Sequence, residues 1–549
     1  MVVKNANGPK IAVIGMGPRG LGALEALADL AGAKGVTFAV DVFDDHPSRG
    51  AGPNFDPGES RVCLLNIPMR DIDIRPPGYG GCGSFAAWME DAPGGNVPGP
   101  DVFPRRTDLG SYLEARWAEL EALGVLTLSH HAARVDGLRR EAEGWKVRCG
   151  EAWCGPYGEV LLTLGQPEVE PDEQLADWQD HAARSDGALW QAYPARDLQA
   201  ADWAGAQVAI RGMALSAFDI LRVLSIGQGG RFEAEGYVPS GREPARIIPF
   251  SLNGQPPFPK PETQELDARF APSEDESEAF SKALDLAVGL ETERARAAIS
   301  GALEPVVARL LRGWKTAERD AVARWLEAEW DAPGSQEDEG PLEVLQAGIE
   351  MAEGRRAPTI GYVVGQVWRK WQDRLRRGYN PAGVPPETAK SLVGFDEGLK
   401  RYSYGPPVSS SREMAALIEA GIVDLGFAAD PEIEMVEAGW RLESGGQSAV
   451  VGAMIDGVMA APDPEAVTAA VVSELCESGR IVRLCEGLSA HTGGDGQLIG
   501  AEGRVVPGLS LLGRLSLGSV IAADSLHDCF GEASARWAQG VMERAHGDG

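Results

Sequence analysis

The sequence predicts an α/β protein with two dinucleotide-binding (Rossmann-like) domains and an inserted all-helical segment. Three observations carry that expectation. A short apolar strand runs into a glycine turn and a helix start at 11–20 (IAVIGMGPRG). A second strand–turn–helix follows at Gln207–Asp219. Between about Glu274 and Arg377, apolar residues return every three or four positions among Glu, Ala and Arg, the period of helices with one buried face.

At 549 residues the chain exceeds what one core usually organises. We divide it into a first nucleotide domain (1–170 and 480–549), a second (200–270 and 400–480) and a helical insert over 271–399 that covers the cleft as a lid and offers a self-association surface. A net charge of −30 argues against a nucleic-acid partner. No apolar run is long enough to span a membrane, and the first apolar run is the glycine strand, not a secretory leader. The seven cysteines are scattered without a Cys-x-x-Cys pair. Reduced thiols, a cytoplasmic location and no metal centre are therefore expected.

In the first turn each residue type has a reason. Gly15 permits the tight turn after the strand, Gly17 lets a pyrophosphate approach the backbone, and Gly20 lets helix and strand pack closely. Pro18 falls in the first helical turn, where a missing N–H costs little, and Arg19 completes the candidate phosphate contact. Val36–Phe43 reads as the second strand. Asp44 at its end is placed to accept from the adenosine ribose, ahead of its rivals Asp41 and Asp45. A strand through Leu64 and Leu65 ends at Asn66, and another ends in Thr163-Leu-Gly165-Gln-Pro167; both are candidate cofactor contacts. The stretch 172–200 reads as a linker with one helix.

The second turn has Gly212, Ala214 and Ser216, with Ser216 either capping the helix or contacting phosphate. Near the C-terminus Gly513 and Gly518 punctuate the stretch from Gly508 to Val520, and Ala533–Arg544 reads as a closing amphipathic helix. No nucleophile elbow or zinc-binding His pattern is present, so the catalytic residues are not legible. His491 and His527 are weak candidates for proton handling, and His130-His131 for surface placement.

The segments IAVIGMGPRG, VFDDHPSRGAGPNF and LLNIP, with Phe103-Pro-Arg105-Arg106 and Gly110-Ser-Tyr112-Leu113, resemble a flavoprotein family of FAD/NAD(P)-binding proteins. That family includes FAD-dependent urate hydroxylases and the nitrosuccinate-forming aspartate N-monooxygenases. The resemblance implies FAD at the first turn, with backbone N–H groups at Gly513 and Gly518 meeting the flavin, and NADPH or NADH at the second. It implies an FAD-dependent, NAD(P)H-using monooxygenase, taking a small-molecule substrate and molecular oxygen and N-hydroxylating a small amino acid or amine through a flavin hydroperoxide. Urate-type C-hydroxylation, a flavin oxidoreductase without oxygen insertion, and a nucleotide-sensing binding protein remain as alternatives. Arg105 and Arg106, at a family position, are the candidate substrate clamp. Two features depart from the family pattern. Relatives commonly read Ser-Arg-Arg-Gly where this chain has Ser251-Leu-Asn-Gly254, which leaves the choice of nicotinamide open, and Arg514 stands where many flavoproteins have Asp.

Overall fold

The computed structural model describes residues 8–92, 97–314, 319–380 and 383–547. Its first sheet has six strands, in the order Gln497–Ile499, Val505–Leu511, Glu159–Leu162, Ile11–Ile14, Phe38–Phe43 and Leu126–His131. All neighbours are parallel except the first pair. The central strand is apolar on both faces, as burial between two layers demands. Helix Pro18–Lys34 follows it, with Pro at its first turn and Gly35 closing it at a φ of 68°. The C-terminal helix Glu532–Gly547 shares a core with it, Trp537, Val541 and Met542 meeting Leu24 and Leu27.

The second sheet has four parallel strands, ordered Arg246–Phe250, Gln207–Arg211, Ala453–Asp456 and Ala188–Gln191. Its last strand lies in the stretch the sequence suggests as a linker. That stretch holds helices Glu173–Ala182 and Ala195–Ala200 and this edge strand. Four half-exposed residues are too few to show a strand period. Each parallel sheet is accompanied by an antiparallel meander, over Gly137–Tyr157 and Glu432–Val451. Two antiparallel chain crossings join the sheets. Glu170 N–H donates to Ala466 O (2.7 Å), and Thr468 N–H donates to Glu168 O (3.0 Å).

Helices from Glu274–Ala287 to Pro386–Ser403 form a third body around Phe280, Ile299, Trp330, Trp368, Trp371 and Phe395. The same core takes in Leu488, Leu517 and Ile521 from the C-terminal part of the first domain. Tyr379 Oη donates to Gly518 O (2.7 Å), and Asn380 Oδ1 accepts from Ile521 N–H (2.7 Å). These helices therefore buttress the C-terminal glycine segment. Helix Glu274–Ala287 starts with a capping box, in which Ser273 Oγ accepts from Glu276 N–H and the Glu276 carboxylate accepts from Ser273 N–H. Ser273→Ala is expected to cost about 1 kcal/mol of stability, measured by urea unfolding monitored through tryptophan fluorescence. Among the described residues no helix is long and apolar enough to cross a membrane.

Candidate functional site

The first glycine turn is shaped by its neighbours. Gly15 has a φ of +97°, and a Cβ there would fall 2.4 Å from Thr163 O. Thr163 Oγ1 donates to Gly15 O (2.6 Å), so the adjacent strand end holds the turn in place. A Cβ on Gly20 would meet Gly15 O at 2.5 Å, which is the close helix–strand approach expected of that position. Gly17 differs: its φ is not left-handed, and the nearest atom to an added Cβ is Gly52 Cα at 3.9 Å. No side chain caps the helix here. Its first N–H groups and the positive end of its dipole are thus left for an anion, over a floor of glycine backbone. This cradle fits a diphosphate.

Asp44 sits beside the turn. Its carboxylate accepts from Met16 N–H and from His46 N–H (2.7 Å), and further lone pairs remain for a ribose hydroxyl. Arg19 points elsewhere. Its buried guanidinium donates to Ala523 O and Asp528 O (2.7 Å each) and pairs with the Asp528 carboxylate. Arg19 therefore staples the C-terminal segment to the first helix, which brings Gly513 next to the turn; a Cβ on Gly513 would lie 3.7 Å from Arg19 Nε. Gly518 is engaged by Tyr379. Gly165, two residues past Thr163, lines a small crevice with Gln166, Ala460, Pro462 and Arg514. There Arg514 donates to Gln166 Oε1 (2.6 Å).

The second turn repeats the pattern. Gly212 has a φ of +103°, and its N–H donates to Phe250 O (2.8 Å), tying the turn to the end of the neighbouring strand. Ala214, exposed and extended, occupies the N-cap without a side-chain cap. Ser216 is inside the helix, so it is not the cap. This cradle also accommodates a diphosphate, with the Ala214 methyl at its rim.

The two arginines expected to clamp a substrate do not converge. Arg105 is exposed. Arg106 pairs with Asp219 on the second-turn helix (2.6 Å) and donates to Asn54 and Leu64 O. Tyr193 Oη donates to the same Asp219 carboxylate (2.7 Å). Arg106 is thus an inter-domain tie with its charge already answered.

A cationic group of a different kind lies where the helical body meets the first domain. Arg70 pairs with Asp101 (2.5 Å), and Lys370 pairs with Asp267 (2.5 Å). Arg369 pairs with Asp267 and Asp71, and Lys400 with Asp524 (2.6 Å) and Glu397 (2.7 Å). Lys260 alone in this group has no carboxylate within ion-pair distance among the described residues. It is 6% exposed, its ammonium donates to Asn66 O, and its Nζ lies 6.0 Å from the Tyr404 ring centroid. Burial, with Arg369 nearby, pushes its pKa down to about 7, whereas the carboxylates around Lys400 push that lysine up. A buried ammonium held only by a carbonyl is matched to an anionic ligand. Burial pushes the Tyr404 phenol, between these two lysines, up to about 12. Asn66, a candidate cofactor contact in the sequence, gives its carbonyl to Lys260, and neither Lys260 nor Tyr404 is a candidate in the sequence reading. A lone lysine in a Pro-rich stretch gives no signal of its surroundings.

The histidines are dispersed. His131 stacks on Phe43 at 4.7 Å. The His527 ring nitrogen lies 2.8 Å from Asp71 O, and burial lowers the pKa values of both His527 and His491.

Residues 12–167 match a family model described as FAD-NAD(P)-binding. The nitrosuccinic acid synthase npaA of Aspergillus oryzae is 31% identical over 44% of this chain and 41% of its own length. An L-aspartate N-monooxygenase (nitrosuccinate-forming) of Streptomyces davaonensis is 26% identical over 79% of each chain. The crystal structure of DfoA bound to FAD, a cadaverine monooxygenase of Erwinia amylovora, superposes with a TM-score of 0.51 at 12% identity, covering 97% of this chain and 94% of that one. That likeness concerns the fold and runs over nearly all of the chain.

Proposed function

We propose that this chain, whose residues 12–167 belong to the FAD-NAD(P)-binding family, is an FAD-dependent, NAD(P)H-using monooxygenase that N-hydroxylates a small amino acid. One observation carries the reading. In each of two sheets a parallel strand ends in a glycine turn whose helix has no side-chain cap, giving cradles for two dinucleotides in one chain. The names of the curated relatives support N-hydroxylation and an acidic amino acid as substrate. All seven cysteines are free, which fits a cytoplasmic enzyme.

FAD supplies oxygen activation when bound, and the nicotinamide supplies the electrons. The protein binds, orients and excludes water. Gly15, Gly17, Gly20 and the helix start receive the FAD diphosphate, with Asp44 toward the ribose and Thr163 fixing the turn. Lys260, in place of Arg105 and Arg106, answers a substrate carboxylate. The helical body seals its junction with the C-terminal glycine segment through a core shared with Leu488, Leu517 and Ile521.

The test is oxygen uptake and NAD(P)H oxidation across aspartate, other amino acids, diamines and urate, with mass spectrometry of products. Aspartate or a close analogue is expected to stimulate both and to gain oxygen on nitrogen. Stimulation only by urate, with oxygen on a ring carbon, or oxidation that yields peroxide with every compound, rejects the proposal.

A further inference from the structure

We infer that the second nucleotide site takes NADH and rejects the 2′-phosphate of NADPH, an inference that rests on the reading of the second turn as a nicotinamide site. A dinucleotide lying on a glycine turn sends its adenosine ribose to the end of the neighbouring parallel strand. Here that strand is Arg246–Phe250, in register with Gln207–Arg211 and tied to Gly212 through Phe250 O. The 2′ position therefore falls on Ser251–Gly254.

Residues 251–254 carry no cationic side chain for a phosphate with nearly two negative charges. Leu252 is 87% exposed, an apolar side chain in open solvent. Ser251 Oγ turns inward to Asn253 Oδ1 (3.3 Å) and accepts from Gly254 N–H (3.0 Å). Asn253 and Gln255 reach across to Gly334 O (3.4 Å) and Glu339 O (2.6 Å) of the helical body. Those bonds place the 334–340 loop, with Glu337, Asp338 and Glu339, beside the ribose end of the site.

Of the nearby cations, Arg246 is paired, Arg242 lies away from the strand end, and Arg401 is half-buried against the acidic loop. Arg246 Nε donates to Asp424 (2.9 Å). Arg242 lies by Gly229, beyond the far end of helix Leu215–Leu224, which puts it about 15 Å from Ala214 by helical rise. Arg401 donates to Gly334 O (2.8 Å) and faces Glu337 and Glu329, while its other two nitrogens are buried without a hydrogen-bond partner among the described residues. The local balance is acidic, a field that repels a 2′-phosphate and accepts a 2′-hydroxyl.

Calorimetric titration of the FAD-loaded protein with ADP-ribose and with its 2′-phosphate reads this without turnover. ADP-ribose is expected to bind at least ~10-fold more tightly, and the double variant Leu252→Arg/Asn253→Arg is expected to recover roughly tenfold for the 2′-phosphate while leaving ADP-ribose unchanged. Equal or tighter binding of the 2′-phosphate by the unmodified protein overturns the inference and leaves the second turn a nucleotide site. Binding of neither compound overturns both.

Discussion

Replacing Gly17 by valine is expected to give a folded protein that no longer binds FAD. The expectation comes from a contrast inside one turn. Gly15 needs its glycine for the fold, because its φ is +97° and a Cβ would press on Thr163 O at 2.4 Å. A side chain at Gly15 should cost about 1–3 kcal/mol through backbone strain alone, and loss of FAD there would say little about contact. Gly17 has an extended backbone that valine adopts freely, and its Cβ would meet nothing closer than Gly52 Cα at 3.9 Å. What a side chain at Gly17 fills is the floor over which the diphosphate must lie. Gly17→Val should therefore melt as cooperatively as the parent while binding FAD at least ~100-fold more weakly, about 2.7 kcal/mol. Flavin absorbance after reconstitution and gel filtration measures the loss, and circular dichroism measures the fold. A yellow Gly17→Val protein with full flavin occupancy would place the diphosphate elsewhere.

The features legible in the sequence are those in which the backbone itself limits the residue. Gly15 and Gly20 are required by close approach of Thr163 and of the turn, so their spacing can be read without knowing what lies around them. The helical segment is legible because burial of one face of each helix writes a 3.6-residue period. Charge assignments fare differently, because the meaning of an arginine or lysine depends on partners far away in the chain. Arg106 looks available until Asp219 is brought against it, and Arg19 looks like a phosphate ligand until the C-terminal segment folds back onto it. Lys260 is the converse. Its interest lies in the carboxylate that its surroundings fail to supply, and no local pattern records an omission. The edge strand Ala188–Gln191 escaped for a simpler reason, being too short and too exposed to show a period.

Lys260→Met is expected to weaken binding of a carboxylate substrate by ~30- to 1000-fold, about 2–4 kcal/mol, with flavin content unchanged. The size follows from burial. Three other cations of this cluster, Arg70, Arg369 and Lys370, are answered by Asp101, Asp71 and Asp267, so among the described residues of the cluster Lys260 is the cation without a paired carboxylate, and removing it deletes that charge. Methionine keeps most of the stem's volume, which limits the packing cost. A pH signature separates this role from a structural one. In the free enzyme the Lys260 pKa is about 7, and a bound carboxylate favours the charged form. Binding at pH 8 should therefore draw a proton from the buffer, and affinity should fall by roughly tenfold per pH unit as pH rises above about 7. Calorimetry in buffers of different ionisation enthalpy detects the uptake. Lys260→Arg should hold the anion through the alkaline range, because guanidinium keeps its proton, and Lys260→Met should bind weakly at every pH. Were Lys260 only a brace for Asn66, Lys260→Met would lower the melting temperature and flavin occupancy, and substrate affinity would show no proton uptake in the unmodified enzyme.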